Sequence, residues 1–185
     1  GFLSSNVINE LPKLSKKYGC KITYDIDKIQ DGTVNAIRQS LYFLDEEFIL
    51  IYGDTFIDVD LRHLLTFHIK NNFDITAFVH PSSHPQDSDL AEIDNNRIKK
   101  IYTYPHEENA YIINIGLAAL FCINKNKFKS FPKNGTLKDL SKHFLPMALK
   151  KSAQIGAYKS IEYIKDAGTP ERLKRVNCDY QLKVH

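Results

Sequence analysis

Phe48-Ile49-Leu50-Ile51-Tyr52-Gly53-Asp54-Thr55 is an unbroken apolar run that stops on a glycine and an aspartate. Such a run, bounded by a Gly-Asp turn, reads as a β-strand, and its lack of polar alternation is what a strand covered on both faces requires. Far downstream, Glu162-Tyr163-Ile164-Lys165-Asp166-Ala167-Gly168-Thr169-Pro170-Glu171-Arg172 has the same plan. A short strand ends on an aspartate, a Gly-Thr turn follows, and a helix opens with proline in its first turn. Open α/β sheets place their ligands at the carboxyl ends of strands. Two carboxylates brought together there can share a divalent cation and a nucleotide phosphate.

Outward from these two stretches, helical and strand patterns alternate. Apolar positions at helical spacing (Val7, Ile8, Leu11, Leu14) predict a helix over Val7–Tyr18, limited by Pro12. Cys20–Asp25 alternates and reads as a strand. Thr33 is placed to cap a helix over Val34–Leu44. A helix over Asp60–Lys70 leads into a buried strand over Ile75–His80. Shorter strands, Ala91–Ile93 and Arg97–Tyr104, meet at Asp94-Asn95-Asn96, a good turn. Ile112–Ile123 is a long apolar strand, and Leu137–Lys151 reads as one amphipathic helix. Gly156–Tyr158 and Tyr163–Lys165 are strands, and Pro170–Leu182 is a closing helix. Strands alternating with helices imply an α/β layer architecture, with a mixed, mainly parallel sheet. The strand-rich stretch 75–123 suggests an inserted antiparallel part. No linker, repeat or low-complexity segment divides residues 1–185, so one domain is expected.

Composition narrows the function classes. The chain has 185 residues, 43% hydrophobic and 25% charged, enough for one real core. Its net charge of +3 is too mild to argue for nucleic acid or a membrane surface as a partner. Cys20, Cys122 and Cys178 are widely spaced without a CxxC, which points to reduced thiols in a cytoplasmic protein rather than disulfides or zinc. No apolar run approaches the roughly 18 residues of a membrane span. The histidines lack metal-ligand spacing, and His80, His84 and His106 each flank a proline, as residues at strand ends and in loops do.

The order of the motifs resembles that of the sugar nucleotidyltransferases, the pyrophosphorylases that make nucleotide-sugars from a nucleoside triphosphate and a sugar 1-phosphate. Gly1-Phe2-Leu3 is similar to the segment after that family's second strand. Gly32-Thr33 resembles its Gly-Thr turn before a helix, and Gly53-Asp54 its metal-binding Gly-Asp. Asn114-Ile115-Gly116 resembles the Asn-Ala-Gly that faces the sugar, and Asp166-Ala167-Gly168-Thr169-Pro170-Glu171 the closing Asp-Ile-Gly-Thr-Pro-Glu. Single members of this set are common, but the ordered set is specific. The stretches His84-Pro85-Gln86-Asp87-Ser88-Asp89-Leu90 and Tyr104-Pro105-His106 are similar to a narrower group. In its members the transferase precedes a haloacid-dehalogenase-type phosphatase, often in heptose or mannose nucleotide synthesis.

The resemblance implies a three-layer α/β/α sandwich of the glycosyltransferase-A-like, nucleotide-diphospho-sugar transferase type. It implies a Mg2+ ion held by Asp54 and Asp166, and substrate contacts from Gly32, Thr33, Gly53, Asn114 and Gly116. In the implied reaction a sugar 1-phosphate oxygen attacks the nucleotide's α-phosphorus and pyrophosphate leaves. No general base is needed, because the attacking phosphate is ionised near neutral pH. Two family features are missing from these residues. The Gly-Gly-x-Gly-Thr-Arg-Leu loop that cradles the triphosphate does not occur, and Thr103-Tyr104-Pro105 stands where Glu-Lys-Pro is usual. The expectation is therefore an incomplete, N-terminally truncated transferase domain, weakly active alone and prone to homo-oligomerise through uncovered strand edges.

Each residue also has a plainer use. Asp54 fits a turn former and Asp166 a helix cap, although the buried run and the Gly-Thr-Pro-Glu context favour ligand roles. By spacing alone, Gly32-Thr33 is a helix start. Asn114, set in an apolar strand, needs hydrogen-bond partners whether it meets a sugar or a neighbouring loop. Two other functions stay open: a non-catalytic transferase-like module, and a metal-dependent glycosyltransferase whose Asp-x-Asp would be Asp58-Val59-Asp60.

Overall fold

The computed structural model describes residues 4–26, 31–82, 85–106, 113–133 and 135–182. Its main sheet has six strands: β1 (Glu47–Ile51), β3 (Ile75–Pro81), β4 (Leu90–Asp94), β5 (Arg97–Tyr102), β6 (Ile115–Asn124) and β7 (Ile155–Lys159). Their order is β1-β6-β3-β7-β5-β4, with a further contact between β4 and β6. β1, β3, β4 and β7 run one way and β5 and β6 the other, so the sheet is mixed. Only β3 and β7 are parallel neighbours, because β6 lies between β1 and β3 and is antiparallel to both. β4 and β5 form the antiparallel insertion. Their turn uses Asn95 and Asn96 at positive φ, a region asparagine tolerates.

The period-2 geometry of the strands divides the core between two faces. Ile75, Ala77 and Val79 of β3 and Phe121 and Ile123 of β6 face one layer. There they meet α2 (Thr33–Ser40), α4 (Lys125–Ser130) and α5 (Leu145–Lys150). Phe78, Leu120 and Cys122 face the other layer, where they pack with Leu64 of α3 (Leu61–Lys70) and with Ile164. β3 is buried over its first five residues, as its apolar run requires.

Several expectations change. Cys20–Asp25 is not a strand, and its residues are mostly exposed. β1 is an edge strand rather than one covered on both faces: only Phe48 is buried, and Ile51 is 38% exposed. The predicted helix Leu137–Lys151 begins as a π-turn over Leu140–Phe144 and becomes α-helical only as α5. Asp139 caps the π-turn, accepting from Lys142 N–H at 2.8 Å. Thr33 does not cap α2, since Gly32 occupies the cap position. α1 (Ser4–Tyr18) forms as expected but contributes no buried residue.

Candidate functional site

A second, two-stranded sheet sets up the site. β2 (Thr55–Asp58) pairs antiparallel with β8 (Tyr163–Asp166), placing Thr55 opposite Asp166. Asp54 immediately precedes Thr55, and its carbonyl accepts the Ala167 N–H at 2.7 Å. Asp54 thus follows the carboxyl end of main-sheet strand β1, as expected, while Asp166 closes β8, and the ribbon's register brings the two together. Glycine at 168 leaves room for them. A side-chain carbon built there would lie 3.1 Å from Asp166 Oδ1 and 3.1 Å from Asp54 Oδ2. The two oxygens thus flank one small space and are no farther apart than twice that distance.

Asp166 is held by two donors. Gly168 N–H donates to its Oδ1 at 2.6 Å, and Arg172 Nη1 donates to its Oδ2 at 2.5 Å. Arg172 sits in the first turn of α6 (Pro170–Gln181), which Thr169 fixes by accepting Arg172 N–H on its side-chain oxygen at 3.2 Å. Arg172 and Arg175 are three apart on this helix and so share a face. They form one wall of a cleft of about 470 Å³ with Thr55, Lys165 and Asp166 of the ribbon. The opposite wall is the end of β3 (His80, Pro81, Ser82), the segment Asp87-Ser88-Asp89, and Gly116 to Ala119 of β6.

The remaining predicted residues divide. Gly116 is buried in the cleft wall opposite His80, where an added side-chain carbon would meet Ser82 at 3.3 Å. Gly53 forms the turn before Asp54, and nothing lies within 4 Å of where its side chain would be. Asn114 is exposed and precedes β6 instead of lying inside an apolar strand. It lies outside the cleft lining, and only its backbone reaches that wall, where its carbonyl accepts Ser82 N–H at 3.1 Å. Gly32 and Thr33 lie away from the cleft lining as well, docked on the segment before the π-turn. Thr33 Oγ1 accepts Leu140 N–H at 3.1 Å. His84 lies outside the described residues, while Asp87, Ser88 and Asp89 from the same stretch reach the cleft.

Sequence reasoning missed the cleft's cations and hydroxyls. Arg172 and Arg175 had a readable signal, two arginines at helical spacing just after Asp166. Ser88 lies in the quoted stretch His84–Leu90, but Ser82 had no signal, and the meeting of the two (Oγ to Oγ 3.1 Å) depends on tertiary folding. Burial raises the Asp89 pKa, an effect opposed by its hydrogen bond from Tyr104 N–H. Cys122 is buried, and desolvation pushes its thiol up to about 12, which rules it out as an activated nucleophile at neutral pH.

The model for the nucleotidyl transferase family matches residues 4–183. The chain belongs to that family. Among its relatives, the glucose-1-phosphate adenylyltransferase of Acetivibrio thermocellus is 24% identical over 169 residues, 86% of this chain and 40% of the relative. The Clostridium novyi protein of the same name is 29% identical over 157 residues, 80% of this chain and 41% of the relative. The chain spans about two fifths of the length of these curated relatives. Among solved structures, HddC from Yersinia pseudotuberculosis superposes with a TM-score of 0.76 at 18% identity, over 97% of this chain and 75% of that one. At that identity the likeness speaks for the fold, the α/β nucleotidyltransferase sandwich.

Within this nucleotidyl transferase fold the Asp-x-Asp reading finds no support. Asp58 lies in the ribbon opposite Tyr163, and Asp60 caps α3 by accepting Arg62 N–H at 2.9 Å and His63 N–H at 3.2 Å. These hydrogen bonds, that from His63 first, hold the Asp60 pKa below its usual value. Its carboxylate is engaged in helix capping; like Asp54, Asp60 lies outside the cleft lining, which Asp166 alone of these aspartates reaches.

Proposed function

We propose that the chain is the cation- and sugar-phosphate-binding body of a sugar-1-phosphate nucleotidyltransferase, which joins a nucleoside triphosphate and a sugar 1-phosphate into a nucleotide-sugar and pyrophosphate. The observation that carries this reading is the convergence of Asp54 and Asp166 on the space over Gly168, beside a polar cleft. Two carboxylates supply hard oxygen donors, which suit Mg2+. Among the described residues no third Asp, Glu, His or Cys completes a cage. Such a set fits an ion that keeps several waters and binds substrate phosphates rather than one enclosed by protein. Bound there, Mg2+ would neutralise charge between the two reacting phosphates.

The chain's own residues do the rest. The backbone hydrogen bond between Ala167 and Asp54 locks the two aspartates in register. Ser82, Ser88, Asp87 and Asp89 offer donors and acceptors for sugar hydroxyls across the cleft. Arg172, Arg175 and Lys165 bring positive charge to the side where an anionic sugar phosphate would lie. Because the attacking phosphate oxygen is already ionised, no side chain has to remove a proton. The narrower motif likeness makes mannose or heptose 1-phosphate with a guanylyl donor the first pair to assay.

The test is titration calorimetry of GDP-mannose, GDP-heptose and, for comparison, ADP-glucose against the chain with Mn2+ present. Binding that is lost in both Asp54→Asn and Asp166→Asn variants, with the fold intact by circular dichroism, is the expected outcome. Nucleotide-sugar binding that survives both substitutions would overturn the reading.

A further inference from the structure

Arg172 sits in an unusual place for a cation. Its guanidinium already occupies Oδ2 of Asp166, one of the two carboxylates that the proposed function gives to a metal ion. The other oxygen of Asp166 is taken by Gly168 N–H. A divalent ion approaching the space between Asp54 and Asp166 meets a fixed positive charge on the same carboxylate, and like charges at such range repel strongly. Yet Arg172 and Asp166 are each about half exposed, 51% and 52%. Pairs this exposed are weak and exchange readily. Arg172 also has somewhere to go. It lies on the same face of α6 as Arg175, and both line the cleft across from Ser82 and Ser88.

We infer that Arg172 is an exchangeable stand-in for the divalent cation. It neutralises Asp166 while the site holds no metal, and it moves to the substrate's phosphate when a metal displaces it. A guanidinium suits the second task, since its planar fork donates two hydrogen bonds to adjacent phosphate oxygens. The exchange makes cation and phosphate binding mutually dependent. The metal frees Arg172 for the anion, and the anion draws Arg172 away from the metal's carboxylate. Linkage then requires each to raise the other's affinity by the same factor. The inference rests on the proposed metal role of Asp54 and Asp166, and it adds that Arg172 balances the charge of Asp166.

The experiment is Mn2+ binding to the 185-residue chain, followed by electron paramagnetic resonance, with and without inorganic phosphate. With Mn2+ alone, Arg172→Met should bind about two- to fivefold more tightly than the parent chain, the span expected on removing an exposed competing charge. Arg172→Lys should fall between the two. Phosphate should tighten Mn2+ binding in the parent and have little effect in Arg172→Met. Unchanged or weaker Mn2+ binding in Arg172→Met, while Asp166→Asn abolishes it, would overturn the exchange and leave the metal assignment standing. Binding in no variant, Arg172→Met included, would remove the metal assignment and the exchange together.

Discussion

At the scale of single residues, position 32 is constrained to glycine by its surroundings. Gly32 has φ 85, and a side-chain carbon there would come within 2.3 Å of the Lys138 carbonyl oxygen. Gly32→Ala should therefore destabilise the fold by about 2–4 kcal/mol, from left-handed backbone strain plus a clash with main chain, and urea denaturation would measure it. His68 carries a different single-residue signature. It is buried, with Nδ1 2.7 Å from Thr76 Oγ1 and Nε2 2.9 Å from Glu47 Oε2. Burial lowers its pKa, and Glu47 and Asp74 offset the effect only in part. The folded value thus lies below the unfolded value of about 6.5. The unfolded chain takes up the proton first, so this contribution to stability is complete above that pH and is lost as pH falls toward the folded value. The melting temperature should decline from pH 7.5 to 5.5, and His68→Gln should make that decline shallower even if it lowers the melting temperature at every pH. An equal slope in both proteins would show that His68 does not titrate differently on folding.

At the scale of elements, the sequence marked strands and helices where the local pattern was strong and misjudged them where tertiary contacts decided. β3 and α3 follow from an apolar run and a helical stripe. β2 was invisible because Thr55–Asp58 is a strand only by virtue of pairing with β8, more than a hundred residues away. The π-turn was invisible for a related reason. Its start is tied to α2, since Thr33 Oγ1 accepts Leu140 N–H and the Lys138 carbonyl accepts Val34 N–H, whereas periodicity alone predicts a continuous helix. The two aspartates do follow strand ends and lie close together, but the separate ribbon that sets their register was not legible. Asn114 was misplaced because its apolar flanks concealed where β6 begins. α3 supplies the prediction at this scale. Asp60 is its N-cap, so Asp60→Ala should cost about 1 kcal/mol of stability while leaving Mn2+ affinity at the parent value. A variant that loses Mn2+ binding without losing stability would restore Asp58-Val59-Asp60 as the metal motif.

At the scale of the whole molecule, the apolar surface is unevenly covered. Among the described residues β1 pairs on one side only, with Ile51 38% exposed at its end. α1 buries none of its residues, and its Val7, Leu14 and Tyr18 are exposed. A strand edge with free backbone groups invites pairing with another chain, and exposed apolar side chains favour contact. The 185-residue chain is therefore expected to form a dimer or a larger assembly, which light scattering would register as a mass of at least twice that of one chain. Ile51→Lys, which sets a charge on the open edge, should shift the population toward monomer. The same chain should be a poor catalyst by itself. Its residues contain no Gly-Gly-x-Gly-Thr-Arg loop, and losing a single transition-state donor costs on the order of a hundredfold in rate. Set against ordinary turnover of about 1 to 1000 per second, pyrophosphate release with Mg2+ and each nucleoside triphosphate should be lower by at least about a hundredfold, about 0.01 to 10 per second or less. A monomer that releases pyrophosphate at an ordinary rate would contradict both expectations, because the described cleft would then suffice without a partner or a phosphate-binding loop.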